Sequence, residues 1–421
     1  MKTVSSSFFQ FAGVHSFLIG LLPFFIPVLL LKQGVSIEGI ALFIALTGFG
    51  FIVSLKIWEA LFNQSQWRWI VALSFISEVF LVGVLLFSDS PISWAIAALF
   101  NGVYNCFYWT TQRMLFSTMT SDSNKRNNQT SPTNDTGKQF GNFQILVVVV
   151  LKLGILVGAF MLEDNLKHSL WLVSSIISLA GLIWFFQPSR MSTFFTISQV
   201  LPVKIGTTES KKTSLFRFKD SHNSSVVFYL DGVFLFLESY FWVVSLFLIS
   251  QENVKELGVI IVTLTVLLSV IFYVLKNKID SLDRNKVYTF AVIFYALSWW
   301  LRSLLDPSLP NHMIYPAILL IAFLTTFFRL SFNKRFFDHA REQRPLNYLL
   351  AKSYLSQTGI VIFYSVAALL ASYFSDIQSS LATLYLVLTP IALIYMVYTA
   401  PKESSISTSA VANASLRTSK T

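Results

Sequence analysis

Charged residues and cysteine are both scarce in this sequence. Only 12% of the 421 residues are charged, well below the roughly 25% that is usual for a soluble domain. The single cysteine, Cys106, excludes an internal disulfide and a metal site built from several cysteines. No phosphate-binding loop motif occurs in the chain, which argues against a function driven directly by ATP.

Apolar and aromatic residues dominate what remains. The chain is 54% hydrophobic, contains 41 Phe and 10 Trp, and has a mean hydropathy of +0.63. These values are typical of a polytopic membrane protein. The first apolar run, residues 8–31, is longer than the apolar core of about 7–15 residues in a signal peptide. We therefore expect this run to be retained as a membrane span.

Apolar segments of about 20 residues, long enough to cross the hydrocarbon core, recur along the whole chain. The predicted spans are residues 8–31, 38–55, 69–87, 92–111, 140–162, 169–187, 224–249, 257–275, 287–305, 313–332, 354–374 and 381–399. The expected fold class is therefore an all-α integral membrane protein with twelve transmembrane helices. The longest polar segment follows the sixth span. It predicts an N-terminal six-helix unit at 1–188, a cytoplasmic linker at 189–222, a C-terminal six-helix unit at 223–400 and a disordered cytoplasmic tail at 401–421.

The basic residues predict the orientation. Of the 31 Lys and Arg residues, all but five fall on the side of the two termini, which the positive-inside rule assigns to the cytoplasm. Four of the five, Lys32, Lys167, Lys255 and Arg302, lie on the opposite side, and Lys152 lies within a span. The net charge of +10 is scattered over short loops, so the sequence predicts a multi-pass inner-membrane or plasma-membrane protein and no nucleic-acid partner.

The two halves have comparable loops. "LKIWEALFNQSQWRW" joins the second and third spans, and "LKNKIDSLDRNKVYTF" joins the eighth and ninth. "QRMLF" and "GKQFG" flank the connection from the fourth to the fifth span. On these motifs and the twelve-span layout, the chain resembles the major facilitator superfamily, although the first loop lacks that family's usual glycine and Asp-Arg pair. The resemblance implies two pseudo-symmetric six-helix bundles and cytoplasmic gate loops, here containing Glu59, Arg68, Asp280, Arg284 and Lys286.

The seventh predicted span, which includes "VVFYLDGVFLFLESYFWVV", carries two acids at membrane depth. Their seven-residue spacing places Asp231 and Glu238 on one helical face, which Trp242 shares. A centred charge costs about 2.5–3.5 kcal/mol on insertion scales, so such residues need a partner or water. We interpret both acids as proton acceptors in a central cavity. Lys152, at the depth of Glu238, either balances Glu238 or attracts an anionic solute. The alternative is a structural buried pair.

The fourth span has a polar face. Asn101, Asn105, Tyr108 and Gln112 recur at helical spacing, and the resemblance implies that the first, fourth, seventh and tenth spans line the cavity. Hydrogen bonding between helices is the alternative.

Three isolated residues fit simpler interpretations. We expect His15 to be packed or interfacial and Arg302 to anchor the interface beside Trp299 and Trp300. Arg329 can face the cavity or extend towards the cytoplasm, and we favour the second.

These observations predict a monomeric secondary active transporter, not an enzyme, that moves a small anionic or amphipathic organic solute by alternating access with proton coupling. No catalytic residues, cofactor or metal are expected. The alternatives are export or import of a carboxylate metabolite or siderophore without proton coupling, and a solute-binding sensor with a transporter fold. A membrane-embedded enzyme acting on lipid or acyl groups is another, for which Asp338 and His339 in "FFDHARE" are the only candidate residues.

Overall fold

Long apolar segments with few helix breakers fold here as long helices. The computed structural model describes residues 2–117, 134–188, 190, 218, 220–280, 284–342, 345–371 and 376–398. Throughout this described part the regular secondary structure is helical, with no β-strand. Ten helices within it are long and apolar enough to cross a membrane.

The helices are numbered in chain order. Their bounds are α1 Lys2–Leu21, continued by Pro23–Phe25 and Ile26–Lys32; α2 Ile37–Asn63; α3 Trp67–Phe87; α4 Pro91–Asn105, continued by Cys106–Thr110 and on to residue 117; α5 Asn134–Glu163; α6 Lys167–Phe185; α7 Ser224–Phe236, continued by Leu237–Phe241 and Trp242–Ile249; α8 Val254–Asp280; α9 Arg284–Ser303; α10 Asn311–Glu342; α11 Pro345–Ala371; and α12 Ile377–Ala392, continued by Leu393–Val397.

A helix occupies each segment that the sequence predicts as a span, and the ends differ most where polar residues continue a helix. The predicted span at 354–374 is too short at its start, because α11 begins at Pro345 and includes the polar stretch around Lys352. The predicted span at 38–55 is too short at its end, because α2 continues to Asn63. The helices outside the ten apolar spans are α4, which is interrupted, and the more polar α9.

Side-chain caps mark where several helices start. The Ser36 hydroxyl accepts a hydrogen bond from Gly39 N–H at the start of α2. Ser90 and Ser93 form a capping box before α4, and Asp376 caps α12 by accepting from Ser379 N–H at 2.8 Å. Such caps satisfy backbone N–H groups that have no partner within the helix.

Both α4 and α7 contain a π-helical turn. The first turn spans Cys106–Thr110 and the second spans Leu237–Phe241. A π turn adds one residue to an α-helix and is frequent at functional sites. In α7 the turn contains Glu238, so the second acid of the span lies at the position where the helix widens.

Glycine allows two helix pairs to approach closely. A Cβ atom on Gly154 or Gly158 of α5 would overlap the backbone of α1 at Phe17 and Leu21. Cβ atoms on Gly232 of α7 and on Gly359 of α11 would overlap the partner backbone in the same way. Helix association in membranes relies on such small residues, because the lipid supplies no hydrophobic driving force between helices.

Helix pairing repeats after six helices. The pairs α1–α5, α3–α4 and α3–α6 each have an equivalent in α7–α11, α9–α10 and α9–α12. The first six helices meet the later ones along two main contacts, α2–α11 and α5–α8. In the first of these, Gly48 packs against Ile360, and in the second Gly258 packs against Ala159.

The outer surface is apolar. Along α2, Phe49, Val53 and Ile57 are each about half exposed, and they recur every four residues on one face. Buried aromatic residues fill the interior, including Trp58, Trp299 and Tyr364. An apolar exterior around a packed interior is the arrangement that a lipid environment requires, and the chain is a multi-pass membrane protein.

The close contact between α1 and α5 gives a stability prediction. We expect Gly158→Ala to lower the free energy of unfolding by about 1–3 kcal/mol, because the added methyl group pushes α5 away from the Leu21 carbonyl. The matched control is Gly13→Ala, whose methyl group would lie 3.6 Å from Leu146 Cδ2, an ordinary contact. Thermal unfolding in detergent measures both variants. Equal melting temperatures would contradict the proposed close approach.

Candidate functional site

Two acids on α7 and one arginine on α10 form the centre of the site. Arg329 Nη1 donates to Asp231 Oδ1 at 2.6 Å. Arg329 Nε and Nη2 donate to the two carboxylate oxygens of Glu238, each at 2.9 Å. One guanidinium group therefore binds both carboxylates, and its contact with Glu238 has the bidentate geometry of a strong pair.

Three more helices complete the arrangement. Lys352 Nζ on α11 lies 2.9 Å from Asp231 Oδ2. The Tyr295 hydroxyl on α9 donates to Glu238, and the Tyr395 hydroxyl on α12 lies 3.5 Å from Asp231 Oδ1. Asp231, Glu238, Arg329 and Lys352 are called the charge cluster below. Its two carboxylates and two cations balance, which is how charges are accommodated at membrane depth.

The two ends of the charge cluster differ in exposure. The side chains of Asp231 and Lys352 are 1% and 6% exposed, whereas those of Glu238 and Arg329 are 16% and 15% exposed. The Asp231–Lys352 pair is thus enclosed by protein, and the Glu238–Arg329 pair is less deeply buried.

Sequence reasoning was wrong about the partners of α7. Arg329 was expected to extend towards the cytoplasm, but it faces both acids. Lys352 was assigned to the cytoplasmic loops and instead pairs with Asp231. No ion pair joins Lys152 to Glu238 in the described residues. Depth along the membrane can be estimated from a sequence, but the direction in which a side chain points around its helix also depends on helix packing.

Arg302 also differs from its expected position. It is only 2% exposed, so it is no interface anchor. Its guanidinium carbon lies 4.8 Å from the Trp242 ring and 4.2 Å from the Trp299 ring. Trp242 itself, the third residue of the predicted stripe, is buried. The tryptophan pair therefore encloses Arg302 instead of holding it at the membrane surface.

The predicted polar face of α4 is divided by the π turn. Asn101 Nδ2 donates to the Tyr240 hydroxyl on α7 at 2.9 Å and lies 3.3 Å from Thr47 Oγ1 on α2. Asn105 Nδ2 donates back to the Asn101 carbonyl at 2.8 Å. Beyond the turn, Tyr108 is fully buried. Its ring packs beside the rings of His15 and Phe11 on α1, and Gln112 is also buried. Asn101 is thus the member of this face that contacts the seventh helix.

The structure describes the side chains of three of the five predicted gate-loop residues. Glu59 on α2 lies near Tyr354 on α11. Arg68 and Lys286 are exposed, and no ion pair between Glu59 and Arg68 occurs in the described residues. The side chains of Asp280 and Arg284 lie outside the described part of the chain, so their predicted roles stay predictions.

Glu78 on α3 was missed by sequence reasoning. It is fully buried, and its two oxygens accept hydrogen bonds from Ser174 and Ser178 on α6 at 2.6 and 2.7 Å. Nearby His15 is buried as expected and lies 3.1 Å from Ser74 Oγ. Glu78 could have been found from the sequence, because it is the one acid within the apolar run "SFISEVFLVGVLLF".

Within the residues searched, no group of three or more His, Cys, Asp or Glu side chains is placed to hold a metal ion.

Comparison by structure finds similar proteins, whereas comparison by sequence finds no match. No protein-family model matches the chain, and no curated protein matches it. The nucleoside transporter NupG superposes with a TM-score of 0.64, covering 93% of this chain and 97% of its own at 11% identity.

A bacterial homologue of the human drug peptide transporters PepT1 and PepT2 superposes with a TM-score of 0.58. The match covers 94% of this chain and 96% of that protein, at 12% identity. Both structures are transporters, and the chain shares their fold. The fold that the resemblance to the major facilitator superfamily implied is therefore supported by these superpositions.

Proposed function

We propose that this protein is a secondary active transporter that moves a small organic solute across the inner or plasma membrane by alternating access. The fold and the ten apolar helices support this function. In this proposal α4 and α9 also cross the membrane, which gives two six-helix bundles at 1–188 and 223–400 with both termini cytoplasmic. The repeat of helix pairings after six helices supports the division.

The charge cluster is the observation that carries the proposal. Four charged side chains from three apolar helices meet here, two of them buried and two partly buried, and charges at membrane depth usually mark an ion or solute pathway. Arg329 is the shared partner, so any event that neutralises Glu238 or Asp231 changes the contacts of α10 with α7. Proton binding to a carboxylate is one such event. An anionic solute that displaces Glu238 from Arg329 is another.

Lys152 supports the proposal that the solute is anionic. It is partly buried within α5, and no carboxylate lies within 4 Å of its amine in the described residues. A cation at this depth without an acidic partner favours a negatively charged ligand. The names of the two similar structures suggest nucleosides and peptides as further solutes for a first screen, beside carboxylate metabolites and siderophores.

Contacts at both ends of the helices support alternating access. On the side assigned to the cytoplasm, Glu59 of α2 lies near Tyr354 of α11. On the opposite side, Glu163 Oε2 at the end of α5 accepts from the Val254 N–H of α8 at 3.0 Å. Each contact joins one proposed bundle to the other, and rocking motion would break one while keeping the other.

No specific observation favours an enzyme. His339 is fully buried, with its ring centroid 4.1 Å from that of His222, so it lacks the open membrane-surface position that a lipid-modifying site needs.

The first prediction concerns solute flux. We expect cells without this protein and cells that overproduce it to differ in one or a few small organic solutes in cytosol and medium. Glu238→Gln should abolish the difference, because it removes the carboxylate that Arg329 holds. Untargeted mass spectrometry measures the change. The control is Asp164→Asn, an exposed acid at the end of α5. Altered lipids with unaltered solutes would argue for an enzyme.

The second prediction concerns the coupling ion. In proteoliposomes containing the identified solute, an imposed pH gradient should drive net transport by the natural protein. With Asp231→Asn and Glu238→Gln combined, the gradient should have no effect, because no carboxylate of the charge cluster remains to take up protons. Solute counterflow measured in parallel shows whether the variant still binds and exchanges solute. Intact gradient-driven transport in the double variant would eliminate proton coupling through these acids.

The third prediction concerns charge balance. Asp231→Asn should lower the free energy of unfolding by about 3–5 kcal/mol, because it leaves Lys352 buried without its counter-charge. Adding Lys352→Met should recover much of that loss. Melting temperatures of both single variants and the double variant measure the coupling. Strictly additive losses would show that the two side chains do not act as a pair.

A further inference from the structure

Arg302 is a buried cation that the charge cluster does not include. It lies near the end of α9 and is 2% exposed. Its Nη1 donates to Ser298 Oγ at 3.0 Å and its Nη2 donates to Thr325 Oγ1 at 2.8 Å. Its Nε–H is buried and has no hydrogen-bond partner in the described residues. A buried N–H donor without an acceptor is unfavourable and points to a missing ligand.

The positive charge of Arg302 is not neutralised by an acid. No carboxylate of the described residues lies within 4 Å of its guanidinium group, whereas Arg329 binds two. Glu238, the membrane-embedded acid on neighbouring α7, is already held by Arg329. Asp306, four residues after Arg302, is exposed and accepts from the Ser308 N–H at 2.7 Å. The faces of Trp242 and Trp299 stabilise the cation only in part.

A small cavity adjoins Arg302. Its volume is about 20 Å³, and its lining includes Arg302, Ser245, Tyr385, Leu248 and Leu381. A cavity of about 10–15 Å³ already holds one water molecule, so this one admits a single small particle and no organic solute. The Ser245 and Tyr385 hydroxyls lie 2.7 Å apart. The Ser245 hydroxyl donates to the Phe241 carbonyl at 3.2 Å, so it accepts from the Tyr385 O–H.

We propose that this cavity is a binding site for a single halide ion, with chloride as the physiological occupant. The ion accepts from Arg302 Nε–H and neutralises the cation between the two tryptophans. Pro307 and Gln378 line the cavity at the loop between α9 and α10 and at the start of α12, which gives the ion a route from that surface. The site is separate from the charge cluster and does not depend on the proposed transport function.

Charge and size together select a halide. Water would satisfy the Nε–H but would leave the positive charge uncompensated in a low-dielectric setting. Carboxylate solutes and sulfate exceed the cavity. A monatomic anion meets both requirements.

The test is thermal unfolding of the purified full chain in detergent at constant ionic strength, with sodium gluconate replaced stepwise by sodium chloride. We expect the melting temperature to rise by about 2–4 °C and then to saturate, as a ligand of the folded state requires. Arg302→Gln should abolish the rise. Lys255→Gln, at an exposed lysine over the Phe160 ring, should keep it. An equal chloride response in Arg302→Gln, or none in the natural protein, would overturn the proposal.

A second variant keeps the test decisive if Arg302→Gln fails to fold. Hydrogen bonds from Ser308, both side-chain and backbone, lower the pKa of Asp306, so it stays negatively charged near the mouth of the cavity. Asp306→Asn should therefore lower the chloride concentration of half-saturation by about twofold or more. Anomalous diffraction from bromide-soaked crystals of the natural protein should show a peak beside Arg302 Nε. An unchanged half-saturation in Asp306→Asn, or no bromide peak there, would contradict the site.

Discussion

The contact of one guanidinium group with two carboxylates determines how the second half of this protein is arranged. Arg329 binds Asp231 and Glu238 together, and so fixes α10 against two turns of α7. Lys352 then fixes α11 through Asp231, and the tyrosines of α9 and α12 reach the same two acids. Since removing one partner of a buried pair leaves a charge without compensation, each of these helices is positioned by the others.

The two halves accommodate polar groups by different means. In the first six helices, Glu78 is held by two serine hydroxyls and His15 by a serine and aromatic rings, with no ion pair in that described neighbourhood. In the last six, acids and cations pair directly. Glu78 and His15 of the first half are thus held by hydroxyl groups, whereas the acids of α7 in the second half are held by ion pairs. Asn101, which reaches Tyr240, is a direct link between these two environments.

Much of the fold followed from the sequence because its signals are local. Apolar length predicted a span in each segment where the described residues form a long helix, and the loop motifs indicated a fold that the superpositions support. The two acids of α7 were also found, since charges in an apolar run are conspicuous. Their partners were not. Lys352 lies in a polar extension of α11 whose sequence is typical of a loop. Arg329 lies near the end of a predicted span, so its side chain could point either to the cavity or to the cytoplasm. Pairing between helices that are distant in sequence depends on their packing angles, and these cannot be inferred from a single sequence.

The π turns have a consequence for how this chain tolerates changes in length. Each adds one residue without interrupting the helix, so the residues beyond it are rotated by about 100° relative to an uninterrupted α-helix. Loss of a single residue from 237–241 would restore regular winding and leave Trp242 and Ser245 on the helix faces that they occupy now. The same holds for 106–110 in α4. Loss of one residue from a regular α-helical turn would instead rotate every residue beyond it by about 100°, so the two π turns tolerate a change in length that a regular turn does not.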